Sequence, residues 1–78
     1  QFEEVRSFNE ERAPVFINGK WTFIDKTGKQ ITAAKFDEVE SFYNGLALVT
    51  IYIPLEDGFE EQYGYINKSG KYVWFPTN

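Results

Sequence analysis

The sequence predicts an all-β chain: two three-stranded antiparallel meander repeats packed into a small sandwich or partly rolled sheet. Three observations carry this. The chain aligns with itself at a nearly constant offset. Each copy holds runs of β-branched and aromatic residues separated by glycine-bearing turns. Both faces of the resulting strands are apolar near their centre, so the sheet must be covered on two sides.

The self-alignment comes first because it sets the unit. Placed at an offset of 34, residues 2–17 and 36–51 share eight identities: Phe2/Phe36, Glu4/Glu38, Val5/Val39, Ser7/Ser41, Phe8/Phe42, Ala13/Ala47, Val15/Val49 and Ile17/Ile51. At an offset of 42, Ile24, Lys26, Gly28 and Lys29 recur as Ile66, Lys68, Gly70 and Lys71, and most other differences in that stretch are conservative. The offsets differ by eight, so the second copy carries an eight-residue insertion near residues 52–61. The reading is one domain over 1–78, with repeat 1 at 2–35 and repeat 2 at 36–78. Units of this length stack on one another to share a core.

The elements follow in chain order. Residues 2–8 and 36–42 each place three apolar pegs at a spacing of three: Phe2, Val5, Phe8 and Phe36, Val39, Phe42. That spacing fits neither a strand nor a long helix and predicts a turn or 3₁₀ connector pinned onto the sheet. The first strand is 13–17, ended by Asn18-Gly19, where both residues tolerate the positive φ of a two-residue hairpin turn. The second strand is 20–25, followed by the turn Lys26-Thr27-Gly28 and a third strand at 29–32. Pairing across Asn18-Gly19 sets Ala13, Val15 and Ile17 opposite Ile24, Thr22 and Lys20 on one face. Pro14 with Phe23, and Phe16 with Trp21, fall on the other. In repeat 2 the insertion adds four residues to each strand. That even number preserves the alternation, so Val49 still faces Gly64 and Leu48 faces Tyr65. A four-residue loop over 55–58 is expected to close this longer hairpin, with Gly58 at positive φ and Pro54 at an edge or bulge.

Composition narrows the chemistry. A chain of 78 residues has a marginal core unless something reinforces it. With no cysteine, neither disulfides nor thiolate metal sites are available, and with no histidine the commonest metal ligand and triad base is missing. The compensation is aromatic, at 19% of the chain, because rings bring large apolar area per residue. A net charge of −4 argues against DNA or RNA as partner. No apolar run is long enough to span a membrane as a helix. The chain begins at Gln1 inside a charged segment with no initiator Met, as expected of a piece of a longer protein.

The string Asn18-Gly19-Lys20-Trp21-Thr22-Phe23-Ile24-Asp25-Lys26-Thr27-Gly28-Lys29, with the Phe-Asp-Glu-Val…Phe…Gly-Leu-Ala-x-Val pattern of residues 36–49, resembles the bacterial WG (or KWG) β-repeat family. The resemblance covers essentially the whole chain in two copies. It departs at the namesake pair, which reads Trp21-Thr22 in one copy and Tyr63-Gly64 in the other. Gly64, opposite Val49, is expected to leave room for the Trp74 ring. The resemblance implies a non-enzymatic repeat, found in bacterial proteins, that binds other molecules; no cofactor or metal is expected, and the compartment stays open between cytoplasm, cell envelope and export.

Trp21, Phe16, Phe23, Tyr63 and Tyr65 are assigned mostly to the core, as a small chain requires. Tyr43, Tyr52, Phe59 and Trp74 are expected at the surface. The insertion (YIPLEDGFEE) is the feature by which the copies differ, with Ile53, Leu55 and Phe59 set among Glu56, Asp57, Glu60 and Glu61. Its acidic residues lack the spacing of a Ca²⁺ loop, and the turn lysines Lys26, Lys29, Lys68 and Lys71 read as solubilising. The expected role is therefore non-catalytic protein recognition, with Tyr52, Leu55, Phe59, Glu60, Tyr43 and Trp74 as its surface. Carbohydrate or cell-envelope binding through exposed aromatics is the alternative, followed by a structural spacer or a domain that neutralises a basic toxin. Two repeats are also few for a stacked array, which points either to self-association through the repeats or to neighbouring repeats severed from this piece.

Overall fold

The computed structural model of the chain describes residues 2–77, and their side chains as far as Trp74. Among these it has seven strands and no helix. Strands β1 (Glu4–Val5), β2 (Ala13–Ile17) and β3 (Lys20–Ile24) form a three-stranded antiparallel sheet in that order. Strands β4 (Glu38–Val39), β5 (Leu46–Leu55), β6 (Gly58–Asn67) and β7 (Tyr72–Thr77) form a four-stranded one.

Both hairpins take the register that the alternation dictates. Ala13, Val15 and Ile17 face Ile24, Thr22 and Lys20 across Asn18 and Gly19, whose φ angles are +53° and +83°. Val49 faces Gly64 and Leu48 faces Tyr65. The longer hairpin closes more tightly than the expected four-residue loop: Leu55 and Gly58 still pair, leaving only Glu56 and Asp57 as the turn. Gly58, at φ +144°, enters the strand directly through a conformation that other residues rarely adopt.

Each copy also repeats its turn chemistry. The Asp25 Oδ1 accepts hydrogen bonds from the Thr27 N–H, the Thr27 hydroxyl and the Lys29 N–H. The Asn67 Oδ1 accepts the same three from Ser69 and Lys71. The short polar side chain thus closes its own turn in both copies.

Two elements differ from expectation. The peg segments are not single turns; each contains a two-residue strand. The Glu3 and Arg6 N–H groups donate to the Phe16 and Pro14 carbonyls on either side of β1, and Asp37 and Glu40 donate to Thr50 and Leu48 around β4. Two paired residues between bends produce the spacing of three that a regular strand cannot. The pairing also covers one edge of each hairpin. The second difference is that residues 29–32 do not form a third strand in copy 1. Gln30 bridges Ile24, the Ile31 N–H donates to the Phe23 carbonyl, and the chain then leaves β3 until Phe36 bridges Trp21. Seven residues from Gln30 to Phe36 lie along four of β3, from Ile24 to Trp21, so regular pairing cannot continue. The corresponding segment of copy 2 does pair as β7, with two register shifts.

The core sits where the copies meet. Each hairpin has an inner face, carrying Ala13, Val15, Thr22 and Ile24 in copy 1 and Ala47, Val49, Gly64 and Ile66 in copy 2. Its outer face carries Pro14, Trp21 and Phe23, or Leu48, Tyr63 and Tyr65. The main cluster joins the outer-face residues Trp21 and Phe23 to the inner-face residues Ala47, Val49 and Ile66, with Phe36, Val39 and Phe42 filling the junction. Phe23 meets Phe42 edge-on at 4.8 Å between ring centroids. A smaller cluster of Ala13, Val15 and Ile24 is covered by Phe2. The copies therefore stack outer face on inner face, and burying each such ring contributes about 1.5–3 kcal/mol.

Candidate recognition surface

Two regions of copy 2 are left open by this stacking: the hairpin arm and the outer face at its base. The arm extends the hairpin beyond the point where copy 1 turns at Asn18-Gly19. The alternation along β5 and β6 divides its side chains. Tyr52, Pro54, Phe59 and Glu61 share the outer side, where the Tyr52 and Phe59 rings pack at 4.7 Å between centroids. Ile53, Leu55 and Glu60 share the inner side. At the base, Leu46, Tyr63, Tyr65 and Trp74 expose a continuous aromatic face with Tyr43 beside it, and Tyr65 meets Trp74 at 6.0 Å. An open groove lined by Tyr43, Leu46, Leu48 and Tyr65, among others, crosses this face.

The arm is anchored by a carboxylate. Asp37 pairs with the Lys20 ammonium and accepts the Tyr52 N–H at 2.8 Å. Burial pushes the Asp37 carboxyl upward, but the bonds from Lys20 and Tyr52 outweigh it and hold the group below its ordinary range. Glu3 does the equivalent task in copy 1, accepting the Asn18 N–H at 3.0 Å. Two phenols on the outer side donate to carboxylates: Tyr52 to Glu38, and Tyr63 to Glu61. The Glu38 bond pushes the Tyr52 hydroxyl up to about 12, and the Glu61 bond raises that of Tyr63.

Charge concentrates in the same place. Four of the twelve acidic residues (Glu56, Asp57, Glu60 and Glu61) lie in the arm with none of the eight basic ones, and outside it the two signs balance at eight each. The whole net charge of −4 thus belongs to the arm.

Residues 1–21 and 21–51 match the WG containing repeat. The chain belongs to that family. No curated protein and no solved structure matches it. The matched residues end at Ile51, so the arm and the residues after it lie outside the match.

Within this WG repeat chain the expected surface residues separate into two groups. Tyr52 and Phe59 pair on the outer side of the arm and Tyr43 and Trp74 flank Tyr65 at its base, whereas Leu55 and Glu60 look out from the inner side of the arm. Tyr43, Leu55, Phe59 and Trp74 are exposed, and Tyr52 and Glu60 are half-buried. The assignment of Tyr63 and Tyr65 to the core is overturned: both are 38% exposed. Their copy-1 equivalents, Trp21 and Phe23, are buried because copy 2 covers them. Trp74 packs on Tyr65, on the face opposite Gly64, so the indole does not lie against that glycine as expected. Leu46 is the surface residue that the sequence reading did not single out. Its offset from Arg12, a polar residue at the same place in copy 1, is the signal that marks it.

Proposed function

We propose that this WG repeat chain is a non-catalytic recognition module that binds a protein partner through the acidic, aromatic arm. The carrying observation is that the arm holds the entire net charge of the chain together with the exposed apolar residues Leu55 and Phe59. A mixed acidic and aromatic surface of this kind suits a basic partner, whose approach the charge accelerates and whose apolar groups the rings hold. The arm is also built as an addition, since the paired hairpin beneath it keeps the register of copy 1. The carbohydrate reading draws on Tyr65 and Trp74, but their rings are inclined at 47° and do not offer one flat platform.

The test replaces residues 52–61 with Asn-Gly, which recreates the copy-1 turn. The variant is expected to fold and to lose a partner captured by the intact chain from its bacterial source. A partner retained at equal affinity by the shortened chain would sink the proposal, and weakening of capture by salt is expected if the arm's charge contributes.

A further inference from the structure

The junction between the two copies can be read as a socket and a plug, and the chain carries one unfilled example of each. At the junction, copy 1 offers its outer face and copy 2 offers the peg segment 36–42. Phe42 covers Phe23, and the Glu10 carboxylate accepts the N–H groups of Asn44 and Gly45 at 2.6 and 2.7 Å. The Arg12 Nε donates to the Lys68 carbonyl at 2.8 Å. Among the described residues the equivalent positions toward the two ends are left uncovered. Val5 and Phe8 are 53% and 47% exposed, against 8% and 3% for Val39 and Phe42.

Two open grooves among the described residues coincide with these vacancies. The one lined by Tyr43, Leu46, Leu48 and Tyr65 occupies the outer face of copy 2 at the place where, in copy 1, Phe42 lies on Phe23. It is the socket for a third peg. The other, of about 320 Å³, is lined by Phe8, Glu11 and Lys26. Their equivalents in copy 2 are Phe42, Gly45 and Lys68, which meet Phe23, Glu10 and Arg12 of copy 1 in turn. Gly28 tells the same story: a Cβ there would meet open space, whereas one on its equivalent, Gly70, would strike the Ile31 carbonyl of the neighbouring copy at 2.5 Å.

We infer that a second copy of this chain docks head to tail, with Val5 and Phe8 of one molecule seated on the outer face of copy 2 of another. Phe8 enters the groove beside Tyr65, where Leu46, standing where Arg12 stands in copy 1, gives apolar lining next to the polar Glu40, Ser41 and Asn44. Asn44 replaces Glu10 at this contact. A carboxylate there would face Glu10 and Glu11 of the incoming turn, so the neutral amide suits a self-junction where the acid suits the internal one. Val5 and Phe8 carry the contact rather than Phe2, because β7 already runs along β6 beside the place of the first peg, with Thr77 paired to Tyr63. Such a heterologous contact joins more than two molecules, as open chains or, where its rotation closes, as rings.

Sedimentation from about 10 µM to about 1 mM tests this, since a contact of this small size is expected to be weak. The average mass should climb past that of a dimer. Phe8→Glu, which blocks the plug, and Tyr65→Glu, which blocks the socket, should each remain monomeric while keeping the wild-type circular dichroism. Mixed in equal amounts, they should form a dimer and nothing larger, since each supplies the element the other lacks. If Tyr65→Glu loses its fold, Leu46→Glu takes its place in the mixture. The shortened chain without residues 52–61 should associate as the wild type does, which separates this inference from the proposed role of the arm. A wild-type chain that stays monomeric overturns it, as does a dimer that survives Phe8→Glu, or a mixture that stays monomeric.

Discussion

Phe8 and Phe42 hold the same position in two copies of one repeat, preceded by the same Ser and the same Val three residues earlier, yet one is half exposed and the other buried. Phe23 and Tyr65 show the reverse, buried in copy 1 and exposed in copy 2. Residue type does not decide these cases, and local structure does not either, since the hairpin register is the same in both. What differs is whether a neighbouring copy is present on that side. In a stacked repeat, burial belongs to the junction, so two copies have one filled junction and two open ends.

The strongest way to break this comparison is to remove the same ring from each copy. Phe42→Ala empties the filled junction against Phe23 and is expected to cost about 3–5 kcal/mol, a large part of the stability of a chain this size. Phe8→Ala at the open end is expected to cost under about 1 kcal/mol, because a half-exposed ring gives up little burial. Urea or thermal unfolding of both variants reads the difference. Equal losses would mean that the peg packs chiefly on its own sheet and that the neighbour contributes nothing.

The glycine pair is the next largest. Gly28 and Gly70 sit at φ +91° and +86° in equivalent turns, so alanine at either adopts an unfavourable left-handed conformation at about 1–2 kcal/mol. Only at Gly70 does the added Cβ also meet backbone, the Ile31 carbonyl at 2.5 Å, and such overpacking adds roughly another 1–3 kcal/mol. Gly70→Ala should therefore lower the midpoint of unfolding more than Gly28→Ala, by an amount that measures the junction alone.

These comparisons also explain what the sequence could disclose. The hairpin registers were legible because Asn18-Gly19 fixes the turn and a period of two fixes the faces, and an even insertion preserves both. The third strand of copy 1 was not, because its residues have the right propensity but too many of them lie between the contacts at Gln30 and Phe36. Strands as short as β1 and β4 leave no alternation to read, so only the peg spacing betrayed them. The exposure of Tyr63 and Tyr65 was illegible for a different reason: a Tyr at a core position and a Tyr awaiting a neighbour look the same. Of the candidate surface, the arm was visible as a break in the repeat. Its division into an outer side with Tyr52 and Phe59 and an inner side with Leu55 and Glu60 followed once the register was known.

A smaller contrast lies in the carboxylates that receive each hairpin. Asp37 accepts the Tyr52 N–H and pairs with Lys20, whereas Glu3 accepts the Asn18 N–H from an exposed position. Asp37→Ala is expected to cost about 1–2 kcal/mol and Glu3→Ala a few tenths. The Asp37 carboxyl is held below its ordinary value in the folded chain, so its contribution is present above the unfolded value near 3.8 and fades as pH falls through the lower folded one. Stability measured from neutral pH down to about pH 2 should therefore fall less steeply in Asp37→Asn than in wild type. Identical slopes would mean that the Lys20 pair and the Tyr52 bond do not hold in solution.

The least energetic contrast is the most specific to the arm. Copy 1 has Asn18 where copy 2 has Tyr52, so only copy 2 places a phenol beside the acidic residue at the edge of its sheet. The bond to Glu38 raises the Tyr52 hydroxyl to about 12, because ionisation would both break that bond and set two negative charges together. The folded state therefore keeps this proton longer than the unfolded chain. The stabilisation is fully present below the ordinary value of 10.0 and is lost as pH rises through about 12. Absorbance of phenolate followed through alkaline titration should show Tyr52 ionising late in the wild type. Glu38→Gln should bring it back toward the ordinary range, since the amide removes the charge while leaving an acceptor in place. A titration unchanged by Glu38→Gln would show that the Tyr52 side chain does not dock on β4, and that the arm is tied to the sheet by its backbone and Asp37 alone.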